Sequence, residues 1–207
     1  MDSMIRFFLI LIFLSSCGNL PIAYIQNFSS VNNVVFGFPE YEITEDIYNE
    51  FDNSFIKIRF GKGPHAILVL AYVNDGIYEW VGADDVRIFT LNGRIIKTSG
   101  LTNNFEIIKP LKQIYHPNKT FEAINLYTPD LFLATLERSM DLDTSSITKL
   151  EKPIEINRIQ EYFNVDIIGW KGVNTYYQNP SSKLIEASEQ EIHPKLPQIR
   201  VEFYLKY

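Results

Sequence analysis

The chain has little cysteine: Cys17 is the only one among 207 residues. A single thiol excludes any disulfide within one chain and any cysteine-based metal site. Basic residues are also short, with 19 Lys+Arg against 25 Asp+Glu and a net charge of −6. A general nucleic-acid binder needs clustered Lys and Arg to replace phosphate counterions, and no such cluster occurs, so nucleic acid is excluded as a partner. Glycine and proline are sparse at 10 each, and the chain is 46% hydrophobic and 14% aromatic, which fits one packed domain and not disorder. No apolar run is long enough to span a bilayer as a helix.

One short apolar run does occur, at residues 7–14 (FFLILIFL), after Arg6 and before Ser15-Ser16-Cys17. A charge, an apolar core and small residues in this order predict a secretory signal. The segment Leu14-Ser15-Ser16-Cys17 resembles a bacterial lipobox, which implies cleavage before Cys17 and acylation of that residue. Palmitate-type chains add about 0.8 kcal/mol per buried methylene, and two or more make anchoring stable. Gly18, where an Asp would resemble an inner-membrane retention signal, points to the outer membrane. Translation starts at Met1 or Met4. The predicted organisation is a signal peptide over residues 1–16, a lipidated Cys17 and uncharged tether over 17–36, and one domain over 37–207. Removing the signal takes away Arg6 and Asp2 together, so the charge balance does not change.

Within the domain, Ile43, Ile47, Tyr48 and Phe51 share one face of a short helix, with Thr44 as its N-cap. The pattern then switches to period two. Residues 55–60 (FIKIRF) alternate, predicting a strand with Lys57 and Arg59 in water; residues 66–73 (AILVLAYV) are apolar throughout, predicting a strand covered on both sides. Asn92-Gly93 between two β-branched runs predicts a type I′ hairpin. Further strands are expected at 121–128, 131–138, 165–170 and 199–205, with a hairpin through Asn179-Pro180-Ser181-Ser182. About ten strands, one helix and no βαβ alternation predict an all-β, single antiparallel domain, either barrel-like or a sandwich.

Motifs for chemistry are scarce. His65, His116 and His193 each adjoin a proline and have no metal-ligand spacing, so they read as turn residues. Gly61-Lys62-Gly63 lacks the phosphate-loop frame, and no Gly-x-Ser-x-Gly elbow exists. The acid pairs Asp84-Asp85 and Asp141-x-Asp143 leave open a weak hydrolase reading, as two carboxyl groups across a sugar cleft would be needed. The reading is therefore non-catalytic, without cofactor or metal.

Residues 80–101 (WVGADDVRIFTLNGRIIKTSGL) resemble the signature of the YjbF/GfcB-type lipoproteins of group 4 capsule and exopolysaccharide loci: a Trp, an acidic pair, Asn-Gly-Arg, then Thr-x-Gly-Leu. Residues 174–206 resemble the family's closing pattern, with the aromatic pair Tyr176-Tyr177, then Ser188-x-Gln190, Pro194 and a strand ending in Lys206. Val86, the glycine-free turn at 181–183 and the terminal Tyr207 depart from it. The resemblance implies a β-barrel-type fold and a role in polysaccharide secretion or assembly. It implies an anchor in the outer membrane, a domain facing the periplasm, and as partners an outer-membrane barrel protein or other export components. The candidate contact residues are Trp80, Arg94, Trp170, Tyr176, Tyr177, Ser188 and Gln190. A second reading makes the domain a polysaccharide-binding module in which exposed Trp80, Trp170, Tyr176 or Tyr177 stack on sugars. For Trp80 and Gly93 the plainer reading is structural, as core and turn.

Overall fold

The structure is a computed structural model that describes residues 38–206; the signal, Cys17 and the tether lie outside the described residues. Contacts divide the chain into Met1–Pro39 and Glu40–Tyr207, and the second unit holds every element discussed below.

Thr44 caps α1 (Glu45–Glu50), its hydroxyl accepting from the Ile47 amide at 3.3 Å, with Glu45 and Asp46 in the first turn where the helix dipole favours acids. Replacing Thr44 by Ala is expected to cost about 1 kcal/mol, read as a shifted midpoint in urea unfolding.

Twelve strands follow. They are β1 (Phe55–Phe60), β2 (His65–Asn74), β3 (Ile77–Val81), β4 (Arg87–Leu91), β5 (Arg94–Ser99) and β6 (Phe105–Ile107), then β7 (Thr120–Leu126), β8 (Leu131–Lys149), β9 (Lys152–Val165), β10 (Trp170–Gln178), β11 (Ile185–Gln190) and β12 (Ile199–Tyr204). Each is hydrogen-bonded antiparallel to its sequence neighbour, and β12 returns to β1, with Phe55 opposite Tyr204 and Phe60 opposite Ile199. The result is a closed up-and-down barrel, so of the two predicted architectures the barrel is the one formed. Period-two side chains such as Ile56, Ile58, Trp80, Ile88, Ile124 and Val201 fill its interior.

Several turns follow the sequence closely. Asn92 and Gly93 both have positive φ, 49° and 76°, as a type I′ turn demands, and join β4 to β5. Residues 179–184 join β10 to β11 as expected, with the Asn179 side chain accepting from the Ser181 and Ser182 amides.

Elsewhere the structure corrects the sequence pattern. The outward face of β1 is not wet: Lys57 and Arg59 are buried, because residues 40–51 cross the outside of β1 and β12. Lys57 donates to the Tyr41 carbonyl at 2.8 Å and pairs with Glu202 at 2.7 Å. A second small core of Ile43, Phe55 and Tyr204 sits there, Phe55 and Tyr204 stacking at 4.8 Å, with Ile47, Phe51 and Leu150 packed around it. Conversely β2 is covered on one side only, leaving Val69, Tyr72 and Val73 exposed. Residues 165–170 are no strand but the end of β9, a short 3-10 turn and the start of β10. The strand expected at 131–138 runs on to Lys149, forming with β9 a hairpin arm that turns at Leu150-Glu151, both in the left-handed region.

Candidate functional site

Four strands send a charge into the barrel where the alternation requires an apolar residue. Glu122 shares its face of β7 with Ile124 and Leu126, Arg138 its face of β8 with Leu136 and Met140, and Glu161 its face of β9 with Ile159 and Phe163; Arg94 opens β5. Burial of any one alone would be prohibitive, and the four are buried together. Arg138 donates to Glu122 at 2.7 Å and through Nε to Glu161 at 2.7 Å, its Nη2 also pairing with Glu161. Arg94 donates to Glu122 at 2.6 Å and lies 3.7 Å from Glu161. The remaining acceptor positions are taken as well: Glu122 accepts from the Leu111 amide at 2.9 Å, and Glu161 from Asn174 at 2.8 Å and the Tyr176 hydroxyl at 3.5 Å.

These contacts set the protonation states. Burial works to raise the Glu122 carboxyl, but Arg94 and Arg138 outweigh it and hold the group below its ordinary range. Burial likewise works against the Arg94 charge and is overcome by Glu161, Tyr176 and Glu122, while burial and then the Glu161 charge push the Tyr176 hydroxyl up. The cluster is charge-balanced, with two guanidinium groups against two carboxylates.

Beside it, β5 and β11 are locked across the barrel. Gln190 accepts from the Ile95 amide at 2.9 Å, donates to the Gly93 carbonyl at 3.0 Å and to Ser188 Oγ at 2.8 Å, and Ser188 donates to the same carbonyl at 3.5 Å. The Asn-Gly-Arg segment and the Ser-x-Gln segment, some 95 residues apart, therefore meet as one polar joint. A Cβ on Gly93 would lie 2.4 Å from Ile185 Cβ, so this turn requires glycine for its close approach as well as its φ.

Of the candidate contact residues, Arg94, Tyr176, Ser188 and Gln190 are brought together inside the barrel. Trp80 is fully buried too, its indole N–H donating to Thr90 at 2.8 Å and its ring edge-on to Phe203, so neither Trp80 nor Tyr176 has a face to offer a sugar. Trp170 is partly buried and packs edge-on to Phe163 at 4.8 Å. Tyr177 points out, half-buried, into a surface depression of about 210 Å³ shared with Glu189 and Arg200. Cys17 lies outside the described residues. The interior void next to Arg94, Glu161, Asn174 and Gln190 measures about 10 Å³, the size of one water.

The other polar candidates are dispersed. Asp143 is bound by Arg158, at 2.9 Å to Nε, on the exposed arm, and Asp141 is exposed beside it. His193 accepts the Lys195 amide at Nδ1, a turn role, and burial lowers its pKa. Among the described residues no three His, Cys, Asp or Glu side chains gather as a metal site. Glu122, Arg138, Glu161 and Asn174 were not singled out from the sequence; a charge in phase with the apolar positions of its strand was the available signal.

Residues 28–204 match the family described as "Group 4 capsule polysaccharide lipoprotein gfcB, YjbF". The chain belongs to the YjbF/GfcB family. Its membership agrees with the resemblance carried by the two segments that meet at Gln190. A curated relative, the "Uncharacterized lipoprotein YjbF" of Escherichia coli (strain K12), is 30% identical over 70 residues, 34% of this chain and 33% of the relative, so the match spans about a third of that protein's length. The fold recurs in the crystal structure of the hypothetical lipoprotein YmcC from Escherichia coli (K12), at a TM-score of 0.70 and 18% identity, covering 92% of this chain and 98% of that one. The chain is thus a member of a capsule-polysaccharide lipoprotein family, built as a twelve-stranded barrel with a charge-balanced cluster in its apolar interior.

Proposed function

We propose that the protein is a non-catalytic accessory lipoprotein of capsule or exopolysaccharide secretion or assembly, anchored in the outer membrane through acylated Cys17, facing the periplasm and docking on outer-membrane or periplasmic export components. Family membership supports the polysaccharide context. The observation that carries the accessory reading is the state of the interior cluster: its polar groups bind one another and the void beside Arg94 and Glu161 is about 10 Å³, which gives a polymer no room there and leaves the outer wall to meet it. The test is a strain lacking the protein, complemented with the natural chain or with Cys17→Ser. The natural chain is expected in the membrane fraction with restored surface polysaccharide, and Cys17→Ser is expected to lose both. A soluble natural chain with an unmodified Cys17 thiol overturns the reading.

A second reading, direct binding of polysaccharide, has one observation in its favour. Tyr177 lines an outward depression with Glu189 and Arg200, the mixture of ring and polar groups that sugars use. A saturable titration with polysaccharide from the same cells, weakened at least tenfold by Tyr177→Ala, supports it; an unchanged affinity removes Tyr177 from consideration.

A further inference from the structure

The barrel closes on itself and leaves no edge, but the β8–β9 arm leaves one along each strand, a short one on β9 over residues 152–156 that carries Pro153 and a longer one on β8. The last β7–β8 pair sets Thr120 opposite Arg138, whereas β8 stays paired to β9 as far as Lys149 opposite Lys152. Residues 139–149 (SMDLDTSSITK) therefore have a ladder on one side only. Among the described residues, none of these eleven exchanges a backbone hydrogen bond with anything but β9. Of the devices that blunt an edge, prolines and bulges are missing, and the charges present are of both signs. The segment contains no proline or glycine, the β8–β9 register has no shift along it, and no residue in it has positive φ. Asp141, Leu142, Asp143, Thr144, Ser146 and Thr148 are exposed. Alternate residues of such a strand present N–H and C=O outward, a row of donors and acceptors that another extended polypeptide strand matches in spacing.

The side chains indicate which strand. Set antiparallel against itself about Ser145, the segment places Asp141 opposite Lys149, Leu142 opposite Thr148, Asp143 opposite Ile147 and Thr144 opposite Ser146. Opposite charges therefore face each other at both ends, and no like charges do. A two-fold at Asp143 would instead set that acid against itself, and one at Leu142 would set Asp141 against Asp143. Lys149 gives two of its three ammonium protons to Glu186 and to the Phe203 carbonyl of its own chain, which leaves one for the Asp141 of a second copy. We propose that residues 141–149 of β8 form a dimer interface, paired antiparallel with the same residues of a second copy about a two-fold axis at Ser145. Such a contact is isologous, so it closes at two copies and does not grow into a filament.

The test uses the full chain in its own membranes. Ser145→Cys puts one new thiol on the axis, and copper phenanthroline oxidation followed by a non-reducing gel reads its self-pairing. The expected result is a band at twice the monomer mass, several-fold stronger than that from the natural chain, whose only thiol is Cys17, or from Ser182→Cys in the β10–β11 turn. Asp141→Lys, at an exposed position, sets Lys against Lys149 and is expected to weaken that band several-fold. A Ser145→Cys band no stronger than either control overturns the interface. A band indifferent to Asp141→Lys overturns the register about Ser145. An adduct at the mass of a different protein overturns the second copy as the occupant.

Discussion

Replacing Arg138 by Met is expected to destabilise the barrel by about 3–5 kcal/mol, the cost of removing one partner from a buried, hydrogen-bonded charge network. Arg138 is the hub: it binds both carboxylates, while Arg94 reaches Glu122 at 2.6 Å but stands 3.7 Å from Glu161. Without it the interior holds two buried acids and one guanidinium, an excess charge removed from bulk solvent. Arg138→Lys is expected to recover little, since an ammonium is a point charge and cannot fork between two carboxylates. Replacing Arg94, Glu122, Arg138 and Glu161 together by apolar residues of similar volume is expected to cost far less than the single change, because nothing charged is then left unpaired. Urea unfolding monitored by far-UV circular dichroism checks all three variants, and a loss below about 1 kcal/mol for Arg138→Met would show that the network carries little of the stability.

The same network gives the fold an acid dependence of known sign. The Glu122 carboxyl is held below its ordinary value in the folded barrel, so its contribution is complete above the unfolded value of about 4.3 and is lost as pH falls through the lower, folded one. Glu122→Gln is expected to be less stable at pH 7 and to lose less on acidification than the natural chain.

Gly93→Ala is the second large effect, expected at about 2–5 kcal/mol. The turn holds φ at 76°, which costs a residue with a Cβ about 1–2 kcal/mol, and the added carbon would lie 2.4 Å from Ile185 Cβ, an overlap of the kind that costs about 1–3 kcal/mol. The two causes separate experimentally. Ile185→Gly removes the Cβ and both branches that the new carbon would meet, so Gly93→Ala should be less damaging in that background than in the natural one, and the residue of the effect is the backbone part. Equal damage in both backgrounds would assign the whole cost to φ. The Gly93 carbonyl also accepts from Gln190 and Ser188, so a shifted turn would loosen the joint between β5 and β11.

Local chemistry made parts of this fold legible in the sequence. Thr44 announced α1, Asn92-Gly93 announced its hairpin, and the alternation of Ile199, Val201 and Phe203 with Arg200 and Glu202 announced β12. What failed depended on distant segments. Lys57 and Arg59 looked wet because only the three-dimensional path of residues 40–51 covers them. The arm beyond Arg138 was missed because its sequence, rich in Ser, Thr and Asp, buries neither face strongly enough to leave a periodic signal. The interior cluster was half legible. Arg94, Ser188 and Gln190 stood out through the family resemblance, but Glu122, Arg138 and Glu161 each needed the apolar phase of their strand to be read as a statement about the charge lying in it.

Closure of the barrel has a consequence for when the protein becomes a protein. Its seam pairs Phe55 with Tyr204 and Phe60 with Ile199, so the first strand waits for the last, across nearly the whole domain. Synthesis runs from the N-terminus, and every intermediate length short of β12 carries two open edges, on β1 and on the newest strand. Contacts so remote in sequence also form slowly. The six residues of β12 therefore act as a clasp fastened at the end, and until it is fastened the chain depends on whatever keeps unpaired strands apart.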